Sequence, residues 1–126
     1  MALGGIKIPL HVSLAPMLQQ KVSPNDVIFI YARDADSSSP MPLLILRKQA
    51  RDLPMNIILD ESMKMNPANS LKDIHKIIIV ARISKTGQAK SQAGDLEGMS
   101  GIVELNKVEL NNLPKGIQII INRFIE

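Results

Sequence analysis

Residues 75–87 read HKIIIVARISKTG, and residues 26–36 nearly repeat this pattern as DVIFIYARDAD. In both stretches a run of β-branched and aromatic residues ends in Ala-Arg and is followed by a polar turn. Such runs, bounded by turn residues, are typical of buried β-strands. Because alternate side chains of a strand face opposite sides, we predict that Ala32 and Ala81 end core-facing rows, with Arg33 and Arg82 on the other face.

Similar patterns along the chain predict about seven short strands and little helix. Apolar and polar residues alternate over residues 6–14, which predicts a strand with one buried face. Pro9 cannot donate to a ladder, so this strand is expected at a sheet edge or with a bulge, where another chain could add a strand. The apolar run within residues 41–50 predicts a strand that is buried on both faces. Residues 70–73 have the spacing of a helix capping box and allow a single helical turn. The remaining strands are predicted at residues 27–32, 55–60, 76–84, 102–110 and 117–122.

This strand spacing predicts an all-β fold, an antiparallel β-sandwich of immunoglobulin-like architecture, with a small closed barrel as the alternative. A chain of 126 residues fits one domain spanning residues 1–126. It contains no cysteine, which excludes disulfides, thiolate metal sites and cysteine nucleophiles. The net charge of +3 is mild, and three aromatic residues are too few for a base-stacking surface, so nucleic acid is not favoured as a partner.

The N-terminal residues lack the long apolar core and small-residue cleavage site of a signal peptide. No stretch reaches the ~20 apolar residues needed to span a bilayer. The chain is therefore either a cytosolic protein or a piece of a longer protein whose targeting segment lies elsewhere.

Catalytic motifs are missing from the sequence. Its two histidines, His11 and His75, are too few for a three-histidine zinc site, and no G-x-S-x-G nucleophile elbow occurs. We therefore predict that the protein is not an enzyme. Met55, Met63 and Met65 could be soft metal ligands, although methionine is more often core filler.

Residues 85–101, KTGQAKSQAGDLEGMSG, carry four of the seven glycines without a regular period and are expected to form a long loop. Asp95 and Glu97 lie between glycines there. They could face a cation or a basic partner, but calcium requires more oxygen ligands at regular spacing, and solvated turn residues are the simpler interpretation. Arg33 and Arg82 could pair with a carboxylate or a haem propionate, or cover apolar rings with their stems.

Several blocks, taken in order, resemble one protein family. They are HVSLAP at residues 11–16, VIFIYARDAD at 27–36, MPLLILRKQARDLP at 41–54, ILDESMKMNP at 58–67 and VARISKTGQAKSQAGDLEG at 80–98. In this order they resemble the C-terminal domain of CycH-type cytochrome c biogenesis factors over nearly the whole chain. Glu61 stands where the family usually has Asp, and Ala93 where Pro commonly precedes Gly-Asp.

The resemblance implies that the chain is the terminal periplasmic domain of a bacterial factor anchored in the inner membrane, with helical repeats in its absent N-terminal part. Such factors hold apocytochrome c and contact the haem-lyase components without forming the thioether bonds themselves. The implied partners are these proteins and the helical repeats of the parent chain, with no cofactor.

We expect the glycine-rich segment 87–101 and its flanking arginines to form part of a partner-binding surface. The candidate residues are Arg33, Arg82, Lys85, Gly94, Asp95, Leu96, Glu97 and Gly98. Two alternatives remain open at the level of sequence. One is a periplasmic metal or haem carrier that uses Met63, Met65 and His75, and the other is a purely structural cap for the helical repeats.

Overall fold

A computed structural model describes residues 7–36, 42–60, 74, 76–88, 92–104 and 117–125. These residues form eight strands and two 3-10 helices, the helices spanning Pro16–Lys21 and Ala50–Asp52. No helix among the described residues is long and apolar enough to cross a bilayer. The strands are β1 (Lys7–Leu14), β2 (Val27–Asp34), β3 (Leu44–Gln49), β4 (Met55–Asp60), β5 (Lys76–Ser84), β6 (Leu96–Glu104), β7 (Ile117–Ile121) and β8 (Arg123–Phe124).

The strands form two sheets, one ordered β4-β1-β7 and the other β3-β2-β5-β6-β8. All neighbouring strands are antiparallel except β1 and β7, which are parallel. The two sheets enclose an aliphatic core, which confirms the predicted immunoglobulin-like β-sandwich. The largest fully buried aliphatic side chains are Ile8, Leu10, Val12, Ile28, Ile30, Leu59, Ile79, Ile83, Leu96, Ile119 and Ile121.

The two Ala-Arg sequences lie in β2 and β5, which are adjacent antiparallel strands. Both alanines are buried, as predicted. Ala32 is paired with Ile79 and Ala81 with Ile30, all in the core-facing layer. Arg33 is opposite Ile78, whereas Arg82 is opposite Phe29. The two arginines are therefore on the same outer face but about 13 Å apart along the strands, because the C-terminal ends of antiparallel strands lie at opposite ends of the sheet.

β1 is the middle strand of its sheet, so the prediction of an edge strand at residues 6–14 is wrong. Pro9 is tolerated because of where β7 begins. The N–H of Ala15 donates to the carbonyl of Ile121, and since N–H directions alternate along a strand, the ring nitrogen of Pro9 also points toward the β7 side. Among the described residues the β1–β7 pairing starts at Leu10, so the missing donor of Pro9 removes no bond of the described ladder.

Two other strands differ from their predicted form. β3 is an edge strand with half-buried residues, so burial on both faces is wrong there. β6 begins at Leu96, inside the predicted loop. Leu96, Gly98 and Ser100 are buried with the period of two expected of a strand. The sequence does not show this period, because two of the three inward residues are small. The proposed helical turn at 70–73 and residues 105–110 of the sixth predicted strand lie outside the described residues.

Gly98 permits a close approach between strands β6 and β7 of opposite sheets. A Cβ atom there would lie 2.9 Å from the Cα of Ile121 and closer still to the carbonyl oxygen of Ile120. The neighbouring N–H of Asn122 donates to the carbonyl of Glu97 at 3.1 Å. Directly after this contact the chain enters β8, which pairs with β6, so Gly98 lies where the last two strands pass from one sheet to the other.

We predict that Gly98→Ala lowers the free energy of unfolding by about 3 kcal/mol, because the added methyl group meets backbone atoms that cannot move without breaking the β6–β7 contact. Gly101→Ala in the same strand is the matched control, since nothing lies within 4 Å of a Cβ atom there. Its effect should stay within about 1 kcal/mol. Urea unfolding of both variants measures the difference, and equal effects would contradict this role of Gly98.

Candidate partner-binding surface

A buried ion pair lies at the end of the sandwich where β5 ends and β6 begins. Arg82 and Asp95 are 3% and 0% exposed, and Arg82 Nε lies 3.5 Å from Asp95 Oδ2. Arg82 Nη1 also donates to the hydroxyl of Tyr31 at 3.3 Å, with the guanidinium carbon 5.8 Å from the centre of that ring. Since a buried charge without a partner is strongly destabilising, each residue makes the burial of the other tolerable.

The Asp95 carboxylate also accepts two backbone hydrogen bonds from the connection between β5 and β6. Lys85 N–H donates to Oδ1 at 3.0 Å, and Gln92 N–H donates to Oδ2 at 3.0 Å. Next to it, Gly94 has a φ of 96°, a backbone conformation that residues other than glycine rarely adopt. Two backbone bonds of 2.8 Å tie Gly94 and Asp95 to Ile125. Asp95 therefore holds both ends of this connection and the last described residues.

Lys85 extends the polar contacts to a neighbouring turn. Its ammonium group lies 2.5 Å from Asp26 Oδ2 and donates to the carbonyl of Lys21 at 2.8 Å. The same carboxylate oxygen of Asp26 accepts the N–H of Ser23 at 2.9 Å. The Lys85 side chain thus joins the end of β5 to residues 21–26, which connect the first 3-10 helix to β2.

The structure brings all of the predicted site residues except Arg33 to this end of the sandwich. Within this set, Lys85 is exposed and Glu97 and Gly94 are half-buried, with Glu97 3.7 Å from Arg123 in a surface ion pair. Arg33 lies near the other end of β2. The members of the set that are buried are Arg82, Asp95, Leu96 and Gly98.

A groove of about 450 Å³ opens beside residues 21–26, and sequence reasoning missed it. It lies where β1 ends and β4 begins. The only sequence signal was indirect, since the family-like blocks at residues 11–16 and 41–54 both contribute to it. Nothing local relates these blocks, and only the pairing of Val12 with Met55 places them together. The described residues that line the groove are Ser13, Leu14, Gln19, Val22, Pro24, Ala50, Arg51, Leu53 and Pro54.

Backbone hydrogen bonds join one wall of the groove to the turn that Lys85 contacts. Ala50 N–H donates to the carbonyl of Asp26 at 2.8 Å, and Arg51 N–H donates to that of Pro24 at 3.0 Å. The second 3-10 helix is therefore fixed to the turn that Lys85 holds. We call the groove and this turn together the groove end of the sandwich.

The described residues contain no group of three or more histidine, cysteine or acidic side chains that could hold a metal ion. His11 faces outward from β1, and its Nδ1 lies 2.9 Å from Asn56 Oδ1. Met55 is packed in the core, which is the filler role rather than a ligand role. Met63, Met65 and His75, the residues of the carrier alternative, lie outside the described residues.

The fold and this surface define an immunoglobulin-like domain that offers a groove at one end of a β-sandwich. The chain belongs to the family of the Ig-like domain of cytochrome c-type biogenesis protein H, whose family model matches residues 8–119. It is 31% identical over 90 residues to the cytochrome c-type biogenesis protein CycH of Pseudomonas aeruginosa. That alignment covers 71% of this chain but 22% of the relative, so the chain spans about a fifth of the curated protein it matches.

The fold is also found outside this family. A solved structure of an alternative pilotin from the type II secretion system of Vibrio cholerae matches with a TM-score of 0.54. The match covers 94% of this chain and 98% of the pilotin chain at 13% sequence identity, which shows a shared fold alone. The predicted family is confirmed by the family model and by the curated relative. The role of the chain in cytochrome c biogenesis is inferred from this family membership and not from the shared fold.

We predict that Asp95→Asn lowers the free energy of unfolding by about 3 kcal/mol, because it leaves the buried Arg82 charge without its partner. Glu97→Gln is the matched control, since it removes a carboxylate from a surface pair and should cost less than about 1 kcal/mol. Adding Arg82→Met to Asp95→Asn should restore part of the loss. Chemical unfolding of the variants tests this, and strictly additive losses would contradict the coupling of the two residues.

Proposed function

We propose that this domain is a non-catalytic protein-interaction module of a cytochrome c maturation factor, which contacts apocytochrome c and the haem-lyase components. The family match supports a role in cytochrome c maturation. The observation that carries the interaction role is the groove end, an open apolar depression whose walls are fixed by hydrogen bonds. We further propose that the domain works on the periplasmic side of the inner membrane, as the terminal part of an anchored protein with helical repeats.

Of the predicted partner-binding residues, we propose that those reaching the surface contact the partner directly. Lys85 is exposed and contacts the turn of the groove end, and Glu97 is half-buried and paired with Arg123. Arg82 and Asp95 have an indirect role, because their buried pair fixes the backbone that carries these surface residues. Arg33 would belong to a second contact area, on the outer face of the larger sheet.

The lack of cysteine suits this role. Thiolates exchange with disulfides through mixed-disulfide intermediates, and an unfolded apocytochrome presents the reactive thiols to which haem is attached. A domain without cysteine can hold such a chain without forming a covalent bond to it.

We expect haem-free apocytochrome c to bind this chain at least about tenfold more tightly than the folded holocytochrome, a difference of about 1.4 kcal/mol, because only the unfolded chain presents extended apolar segments. Isothermal titration calorimetry with both forms, and with purified periplasmic segments of the haem-lyase subunits, measures this. Failure to bind either apocytochrome or haem-lyase segments would overturn the proposed function. Stoichiometric binding of haem or copper(I) in a parallel titration would support the carrier alternative instead.

A further inference from the structure

The groove has the chemistry of a site for part of a polypeptide. Its volume of about 450 Å³ falls within the range of ligand-binding sites, which are mostly apolar with a few polar groups that fix orientation. The polar side chains in its lining are those of Ser13, Gln19 and Arg51. The apolar lining is formed by Leu14, Val22, Pro24, Ala50, Leu53 and Pro54.

The walls of the groove are held in place without a ligand. The first 3-10 helix follows β1 directly, and its first turn is closed by the bond from Leu18 N–H to the carbonyl of Ala15, at 2.9 Å. The second is closed by the bond from Leu53 N–H to the carbonyl of Ala50 and by Asp52, whose carboxylate accepts the N–H of Gln49 at 3.1 Å. A preformed site loses little conformational entropy on binding.

One wall of the groove is the end of a strand that is open on one side. Ala15 N–H points toward β7, so the N–H and carbonyl of Leu14 point the other way, toward β4. The β1–β4 ladder ends at the pair Val12 and Met55, and β4 begins at Met55. The backbone groups of Leu14 therefore lie beyond the last pair of the ladder, beside the groove.

The charge of the groove is one-sided. Among the described residues that line it, Arg51 is the only charged one, and no carboxylate accompanies it. Arg51 donates to the side-chain oxygen of Asn25, and a guanidinium has further N–H donors that pair well with carboxylates. The complementary ligand therefore carries a negative charge next to its apolar part.

We propose that this groove binds an extended polypeptide segment that carries an acidic residue close to large apolar residues. The segment adds a short strand beside Leu14, places apolar side chains between the aliphatic and proline walls, and sets its carboxylate against Arg51. Strand addition of this kind takes affinity from backbone hydrogen bonds and specificity from pockets for alternate side chains. The proposal rests on the proposed function in one respect, that the domain binds other polypeptides.

The test uses a fluorescein-labelled peptide of alternating serine and leucine with a single aspartate, titrated with the whole chain and followed by fluorescence anisotropy. Arg51→Glu should weaken binding about fivefold, and a peptide with lysine in place of the aspartate should bind this variant better than the original chain. Gln19→Trp, which fills the groove from an exposed position, should weaken binding by at least about tenfold. N-methylation of the central peptide amides should weaken it about fivefold by removing strand hydrogen bonds.

The matched control is Arg47→Glu, which makes the same change in net charge at an exposed residue of β3 outside the groove lining. Its affinity should equal that of the original chain, and circular dichroism checks that all variants are folded. No peptide binding, or equal affinities of the three variants, would overturn the groove site. If apocytochrome c still binds the Arg51→Glu and Gln19→Trp variants normally, the proposed function stands and the groove proposal fails.

Discussion

The carboxylate of Asp95 is the group on which the groove end of the sandwich depends. It is fully buried, lies against the Arg82 guanidinium and accepts two backbone N–H groups from the β5–β6 connection. Transfer of such a charge from water costs several kcal/mol, and only close opposite charge and hydrogen bonds offset this. The same carboxylate thus requires Arg82 on β5 and fixes the backbone of Lys85, whose ammonium group holds the turn at residues 21–26.

This dependence explains why the sequence around Arg82 and Asp95 looks like a functional motif although its buried members serve the architecture. Gly94 supplies a positive φ, Leu96 fills the core, and Gly98 allows two sheets to touch. Each residue type is demanded by a separate local constraint. A short motif with many such demands has little freedom to vary, whether or not a partner touches it.

The strands of the core were predictable because their runs of β-branched residues, or their apolar residues at alternate positions, are visible in the sequence. Residues 76–84 and 117–121 are strands as expected, and the aliphatic residues that alternate in them form the core. The start of β6 was not predictable in this way, because Gly98 and Ser100 occupy inward positions, and at Gly98 a neighbouring backbone leaves no room for a side chain. The edge position of β3 and the central position of β1 depend on pairing between distant segments, which periodicity does not encode. For the same reason the groove could not be foreseen, since Leu14 and Leu53, which both line it, belong to distant segments.

The parallel pairing of β1 with β7 has a consequence for how the domain acquires its structure. The first and last of the long strands are neighbours, so the smaller sheet contains contacts between residues more than a hundred positions apart. Contacts of such high sequence separation form slowly, because the intervening chain must be ordered first. During synthesis β1 has no β7 to pair with until the end of the domain has emerged. Folding of the sandwich is therefore completed only after the whole domain is available.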